Sequence, residues 1–175
     1  TGNGTYTPGF SGIIMGTWNG QAIVDNNIID CNIFTNGKYN YGITMVVVSE
    51  SLIKDTNVIV FGEYADGVSL YQSDHNNIID NISVIIDNMS TNSLRIQVSS
   101  SGNIIKNSSF VANVGRAVIF GDASNNNIIV NSTITSTMSI GVYFSSTAYN
   151  NIQDSNILST GSSSIGALFY NTHDN

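Results

Sequence analysis

The sequence predicts an all-β chain folded as a single-stranded parallel β-helix of about six to seven coils, each 24–26 residues long. Three observations predict it. A short Asn-Ile-Ile-like segment returns at nearly constant spacing. An apolar–variable–apolar segment returns between its copies. Charge is sparse, at 10% of residues, whereas Asn and Ser supply 25 and 24 of the 175; about a quarter of an ordinary domain is charged. A period in this range marks a solenoid, a propeller or an array. A propeller blade needs about 40 residues. Helical repeats are excluded by β-branched richness, by abundant Ser and Asn, and by the lack of any 3.6-residue periodicity.

The elements follow in order. The anchor segments begin at Asn27, Ser51, Asn77, Asn103, Asn127 and Asn151, spaced 24, 26, 26, 24 and 24 residues apart. Each continues with apolar residues, as in Asn77-Ile78-Ile79. A second apolar column follows: Ile33, Val58, Val84, Phe110, Ile134 and Ile157. A third segment runs Ile43-Thr44-Met45, Val68-Ser69-Leu70, Leu94-Arg95-Ile96, Val118-Ile119-Phe120, Val142-Tyr143-Phe144 and Ala167-Leu168-Phe169. Apolar first and third members around a variable middle one are the alternation of a strand with one buried face. Gly42, Gly67, Gly141 and Gly166 precede it in four copies and mark a recurrent turn. Three short strands per period fit one coil. Residues 22–175 therefore form the β-helix, and residues 1–21, which fit the repeat poorly, form an N-terminal partial coil, cap or arm.

Coils stack about 4.8 Å apart, so equivalent positions lie above one another. Asn27, Asn77, Asn103, Asn127 and Asn151 would then form an Asn ladder at a turn, where Asn tolerates a left-handed backbone. Phe120, Phe144 and Phe169 would form an aromatic stack. Two adjacent apolar columns, Ile28-Leu52-Ile78-Ile104-Ile128-Ile152 and Ile29-Ile53-Ile79-Ile105-Ile129, cannot both face inward on one extended strand. Either the chain bends between them or one is an external ribbon.

Copies such as Asn77 to Val84 and Asn127 to Ile134 resemble the repeats of the pectate-lyase-like superfamily. They are most similar to the Asn/Ile/Ser-rich repeats of archaeal and bacterial cell-surface proteins. The resemblance implies a right-handed parallel β-helix and a place outside the cell. That superfamily spans lyases, hydrolases, epimerases, adhesins and structural proteins, so it does not fix an activity.

Charge narrows the function. Five basic residues against twelve acids give a net charge of −7, too few cations for a nucleic-acid surface. No apolar run is long enough to span a membrane. Asp30, Lys54, Asp80 and Lys106 each sit three residues beyond an anchor and would form an axial charge ladder of alternating sign. The other use of Asp30 and Asp80, as a pair of catalytic carboxylates, is opposed by Lys54 between them. His75 and His173 occur in near-copies of one turn, which speaks for turn chemistry rather than a unique base. No metal, cofactor or catalytic residue is expected: there is no dense acidic cluster, no phosphate loop and one cysteine, Cys31. Triplets of the form Asn-x-Ser/Thr begin at Asn3, Asn81, Asn88, Asn107 and Asn131; with 25 Asn and 38 Ser plus Thr, chance alone gives about five.

Alternation predicts that the late coils turn apolar side chains outward, so Ile119, Tyr143, Leu168 and Tyr170 form a candidate interface. The next anchor would fall at position 176, one past the last residue, which predicts further coils or a like subunit stacked end to end. The sequence thus points to a non-catalytic, extracellular or cell-surface structural or adhesive module. The alternatives are a polysaccharide-active lyase or glycoside hydrolase, or a fragment of one, and a flat face that binds carbohydrate or ice.

Overall fold

The computed structural model describes residues 11–17, 21–72, 74–89 and 91–175. Tyr6, Pro8, Phe10 and Trp18, the residues expected to form a cap or arm, lie outside the described residues. Every described strand pairs in parallel with its equivalent one coil away, building a β-solenoid of about six turns with three long faces. Sheet I stacks Ile13–Gly16, Ile43–Val46, Val68–Tyr71, Asn92–Gln97, Arg116–Gly121, Ile140–Ser145 and Ile165–Tyr170. Sheet II stacks Asn27–Ile29, Leu52–Lys54, Ile78–Asp80, Ile104–Lys106, Ile128–Val130 and Asn151–Gln153. Sheet III stacks Asn32–Thr35, Asn57–Val60, Ser83–Ile86, Ser109–Ala112, Thr133–Ser136 and Asn156–Ser159. Ile23–Val24 pairs with Val48–Ser49 at the corner between sheets I and II.

Alternation along each strand turns one set of side chains into a continuous core. In sheet I, Val68, Leu94, Val118 and Val142 stack in register and are fully buried. Phe120, Phe144 and Phe169 also stack inward, with ring centroids 5.1 and 4.7 Å apart and planes within 7°. Phe169 is 52% exposed on the terminal coil. Sheet II resolves the paired Ile columns. Its inward column is Ile28, Ile53, Ile79, Ile105, Ile129 and Ile152, whereas Leu52, Ile78, Ile104 and Ile128 form an external ribbon. The strand stays extended, so the column that cannot face inward lies on the surface.

Two recurrent columns of left-handed residues flank sheet II. Asp25, Glu50, Asn76, Gly102, Asn126, Tyr149 and Asp174 have φ of 50–70° just before sheet II or its terminal equivalent. Asp30, Asp55, Asn81, Asn107, Asn131 and Asp154 have φ of 45–54° between sheets II and III. Asn and Asp are tolerated here because their short side chains bond locally. The glycines before sheet I do stand at a corner, but for a different reason. A Cβ on Gly67 would lie 2.2 Å from the Val84 side chain and 2.7 Å from the Ser93 carbonyl. Close packing against sheet III, rather than a left-handed turn, requires glycine there.

Candidate functional site on the outer face of sheet I

The residue that precedes the glycine column differs from coil to coil: Asp66, Asn92, then Arg116. Register therefore sets an acid, an amide and a cation on three neighbouring coils. Asp66, only 2% exposed, accepts at Oδ1 from the Asn92 backbone N–H (2.9 Å) and side-chain amide (2.7 Å). Its Oδ2 pairs with Arg95 Nη1 at 3.2 Å. Arg95 also donates through Nε to Gln97 Oε1 and lies over the Tyr71 ring, 5.8 Å from its centre. Asn92 Oδ1 is buried and accepts no hydrogen bond among the described residues. One coil further on, the Arg116 guanidinium sits 4.9 Å from the centre of the Tyr143 ring, a cation–π contact. No acid lies within ion-pair distance of Arg116 among the described residues.

Chemically, the arrangement has a closed half and an open half. The Asp66 carboxylate is neutralised by Arg95 and capped by Asn92, so it faces no substrate as a free acid or base. Arg116 with Tyr143 offers a cation and a flat ring, which suits an anionic or ring-shaped ligand. This mixed cluster is not among the site residues expected from the sequence. Asp66, Asn92 and Arg116 look unrelated along the chain. The signal that could have found them was their shared position just ahead of Gly67, Ser93 and Ala117.

The remaining expected site residues fall as follows. Asn77, Asn103 and Asn127 form a buried ladder in which the Oδ1 of Asn103 and that of Asn127 each accept both the backbone and the side-chain N–H of the Asn one coil before, at 3.0 Å. Asn27 and Asn151 do not belong to it. The next members are Asn150, which accepts from Asn127, and Asn175, which accepts from Asn150. At the other end Asn26 donates its backbone N–H to Ser51 Oγ, and Ser51 donates its own to Asn77 Oδ1. The rule is local: the ladder residue lies two positions before the inward Ile, so both point into the corner. Ile28 and Ile152 are the inward residues, which moves the ladder to positions 26 and 150. The ladder residue is not itself left-handed; the residue before it is.

The same one-residue shift breaks the charge ladder. Lys54, Asp80 and Lys106 are in register, but Ile29 rather than Asp30 stands opposite Lys54. Asp30 joins the left-handed column with Asp55. Lys106 Nζ lies 3.3 Å from Asp80, and Lys54 Nζ lies 3.6 Å from Asp55. Burial pushes the Asp80 carboxyl up, but hydrogen bonds from Asn107 and Lys106 and the charges of Lys106 and Lys54 outweigh it, holding the group below its ordinary value. Asp30 and Asp80 stand in different columns and are no carboxylate pair. His75 and His173 occupy one bridging position, pairing with Ser49 and Ser101 and with Ala148.

Nor do the four interface candidates form an open stripe. Ile119, Tyr143 and Leu168 are in register, yet Ile119 is 5% exposed and Arg116 lies over Tyr143. Leu168 is half-buried and only Tyr170, at 58%, is open. Among the described residues no three His, Cys, Asp or Glu side chains converge on a metal position, and no helix is long and apolar enough to cross a membrane.

No protein-family model matches the chain, and no curated protein sequence matches it. Among solved structures, the A-module of the mannuronan C-5 epimerase AlgE6 from Azotobacter vinelandii is similar at 11% identity, with a TM-score of 0.40. The match covers 83% of this chain and 58% of that one, so the chain spans less than two thirds of that structure's length.

Proposed function

We propose that the chain is a non-catalytic structural or adhesive β-solenoid module of an extracellular or cell-surface protein. The observation that carries this reading is the closed Asp66–Asn92–Arg95 cluster: the acid that stands among unlike polar groups on sheet I is buried and paired. A general acid or base must reach the proton it moves. The buried Asn side chains just before sheet II are likewise spent on coil-to-coil bonds. The extracellular placement rests on composition, with 10% charged residues, 25 Asn and 24 Ser. Incubation with a uronate polymer should leave both its length and its ring configuration unchanged. Turnover that is lost in Asp66→Asn or Arg116→Ala would overturn the reading.

Further coils or like subunits, end to end, are the proposed partners. The inward positions Ile157 and Phe169 on the terminal coil are partly open, and another coil stacked there would bury them. Sedimentation at micromolar concentration tests this; a chain that stays monomeric and keeps Phe169 in solvent contradicts it. A second reading, recognition of an acidic polysaccharide on sheet I, is favoured by one observation, the Arg116–Tyr143 pair without an acid partner. Loss of uronate binding in Arg116→Ala would support it.

A further inference from the structure

A different face carries a site that the proposed function does not use. Along the corner between sheets II and III runs a groove of about 460 Å³. One wall is the left-handed column Asn81, Asn107 and Asn131, and the other is the outward column Ser83, Ser109 and Thr133. The two walls share one origin in the sequence: Asn81-Ile82-Ser83, Asn107-Ser108-Ser109 and Asn131-Ser132-Thr133 repeat the pattern Asn-x-Ser/Thr on successive coils. Stacked about 4.8 Å apart, they set an axial row of carboxamides facing an axial row of hydroxyls.

The walls have spare hydrogen-bonding capacity. Each carboxamide commits one N–H along the axis: Asn81 to Asp55 Oδ1 (2.6 Å), Asn107 to Asp80 Oδ1 (2.7 Å) and Asn131 to Asn107 Oδ1 (2.7 Å). An amide nitrogen carries two donors, so one remains on each. The hydroxyls of Ser83, Ser109 and Thr133 make no hydrogen bond among the described residues. Charge selects against an anion. Asp55 lines the groove, Asp80 borders it, the nearby Lys54 and Lys106 are held by those two acids, and the chain carries −7 overall.

We propose that this groove is a binding site for a neutral, hydroxyl-rich glycan lying parallel to the solenoid axis. Sugar hydroxyls would bridge the two rows, each both donating to and accepting from the walls. The proposal is independent of the sheet I reading, since it uses other residues and the opposite ligand charge.

The test is titration of the ¹⁵N-labelled chain with a neutral β-linked glucose hexasaccharide, with a uronic acid hexamer in a parallel arm. The neutral sugar at millimolar concentration should shift the side-chain amides of Asn107 and Asn131. Ser109→Val with Thr133→Val should weaken that binding about tenfold or more, while Ser109→Thr retains it and Arg116→Ala leaves it unchanged. Outward valines suit a strand, so the double variant should keep its unfolding midpoint; if it does not, Ser83→Val read alone serves the same purpose. No shift in the groove, shifts indifferent to the valine variants, or tighter binding of the uronate hexamer here would each overturn the proposal.

Discussion

Asn77 and Asn103 stand 26 residues apart in the chain, yet the Oδ1 of Asn103 accepts two hydrogen bonds from Asn77, backbone and side-chain, both at 3.0 Å. The Asn103 amide itself donates to the Asp74 carbonyl at 3.1 Å and to Asn127 at 3.0 Å. One buried side chain thus ties three coils together, in the interior where an unmade bond costs most.

Asn103→Ala should therefore destabilise by several kcal/mol, since it leaves two buried donors of Asn77 unpaired at about 1–3 kcal/mol each. Asn27→Ala and Asn151→Ala, at exposed positions outside the ladder, should change stability by less than about 0.5 kcal/mol. Urea unfolding of the three variants checks the pattern. Equal losses would show that the ladder runs through Asn27 and Asn151 instead.

This contrast also shows what the sequence could tell. The inward column from Ile33 to Ile157 was readable because a packed interior accepts one chemical type on every coil. The ladder was readable in its middle, at Asn77, Asn103 and Asn127. It slipped by one at Asn26-Asn27 and Asn150-Asn151, where doubled Asn residues leave two registers open and only the inward turn of Ile28 and Ile152 decides. The sheet I cluster was hidden for the opposite reason. Asp66, Asn92 and Arg116 do not repeat, so only three-dimensional register brings them together.

Gly67→Ala should cost about 1–3 kcal/mol, the range for forcing extra atoms into a filled core. Its Cβ would meet Val84 at 2.2 Å. Gly166, the equivalent glycine on the last coil, has nothing within 4 Å of that position. Gly166→Ala should be neutral or slightly stabilising. Thermal unfolding of the pair distinguishes a packing constraint from a conformational one, which would make both costly.

Asp74 should make stability depend on pH. Its carboxylate is fully buried, accepting from the backbone N–H groups of Val48 and Tyr71 at 2.5 and 2.8 Å. Burial pushes the carboxyl from 3.8 up to about 7, although backbone bonds from Val48, Tyr71 and Val47 pull it down. The folded chain thus holds this proton more tightly than the unfolded one. The contribution is complete below about pH 4 and is lost as pH rises to about 7, on the order of 4 kcal/mol in all. Asp74→Asn should flatten the slope of stability against pH in that window. A slope unchanged by the substitution would mean that the carboxyl titrates normally.

Lys106→Ala should let the Asp80 carboxyl rise toward its ordinary value, because the ammonium 3.3 Å away helps hold it down. The pair is partly exposed, so the stability cost should stay within a few tenths of a kcal/mol and vanish near 1 M salt. Lys54→Glu should be mildly unfavourable at low salt, as it places like charge beside Asp55 and in register with Asp80. Asp30→Asn should leave the Asp80 titration unchanged, since Asp30 lies in another column. Carboxyl titration followed by NMR reads all three variants.

The measurement that bears most directly on the whole architecture is hydrogen exchange at the side-chain amides of Asn77, Asn103 and Asn127. If the three are locked between coils, their protons should exchange as slowly as the backbone N–H groups of Ile79 and Ile105, opening only with the global unfolding of the solenoid. The amides of Asn27 and Asn151 should exchange at the rate of free asparagine. Fast exchange at Asn77, Asn103 and Asn127, or protection at Asn27 and Asn151, would contradict both the ladder and the register on which every column described above depends.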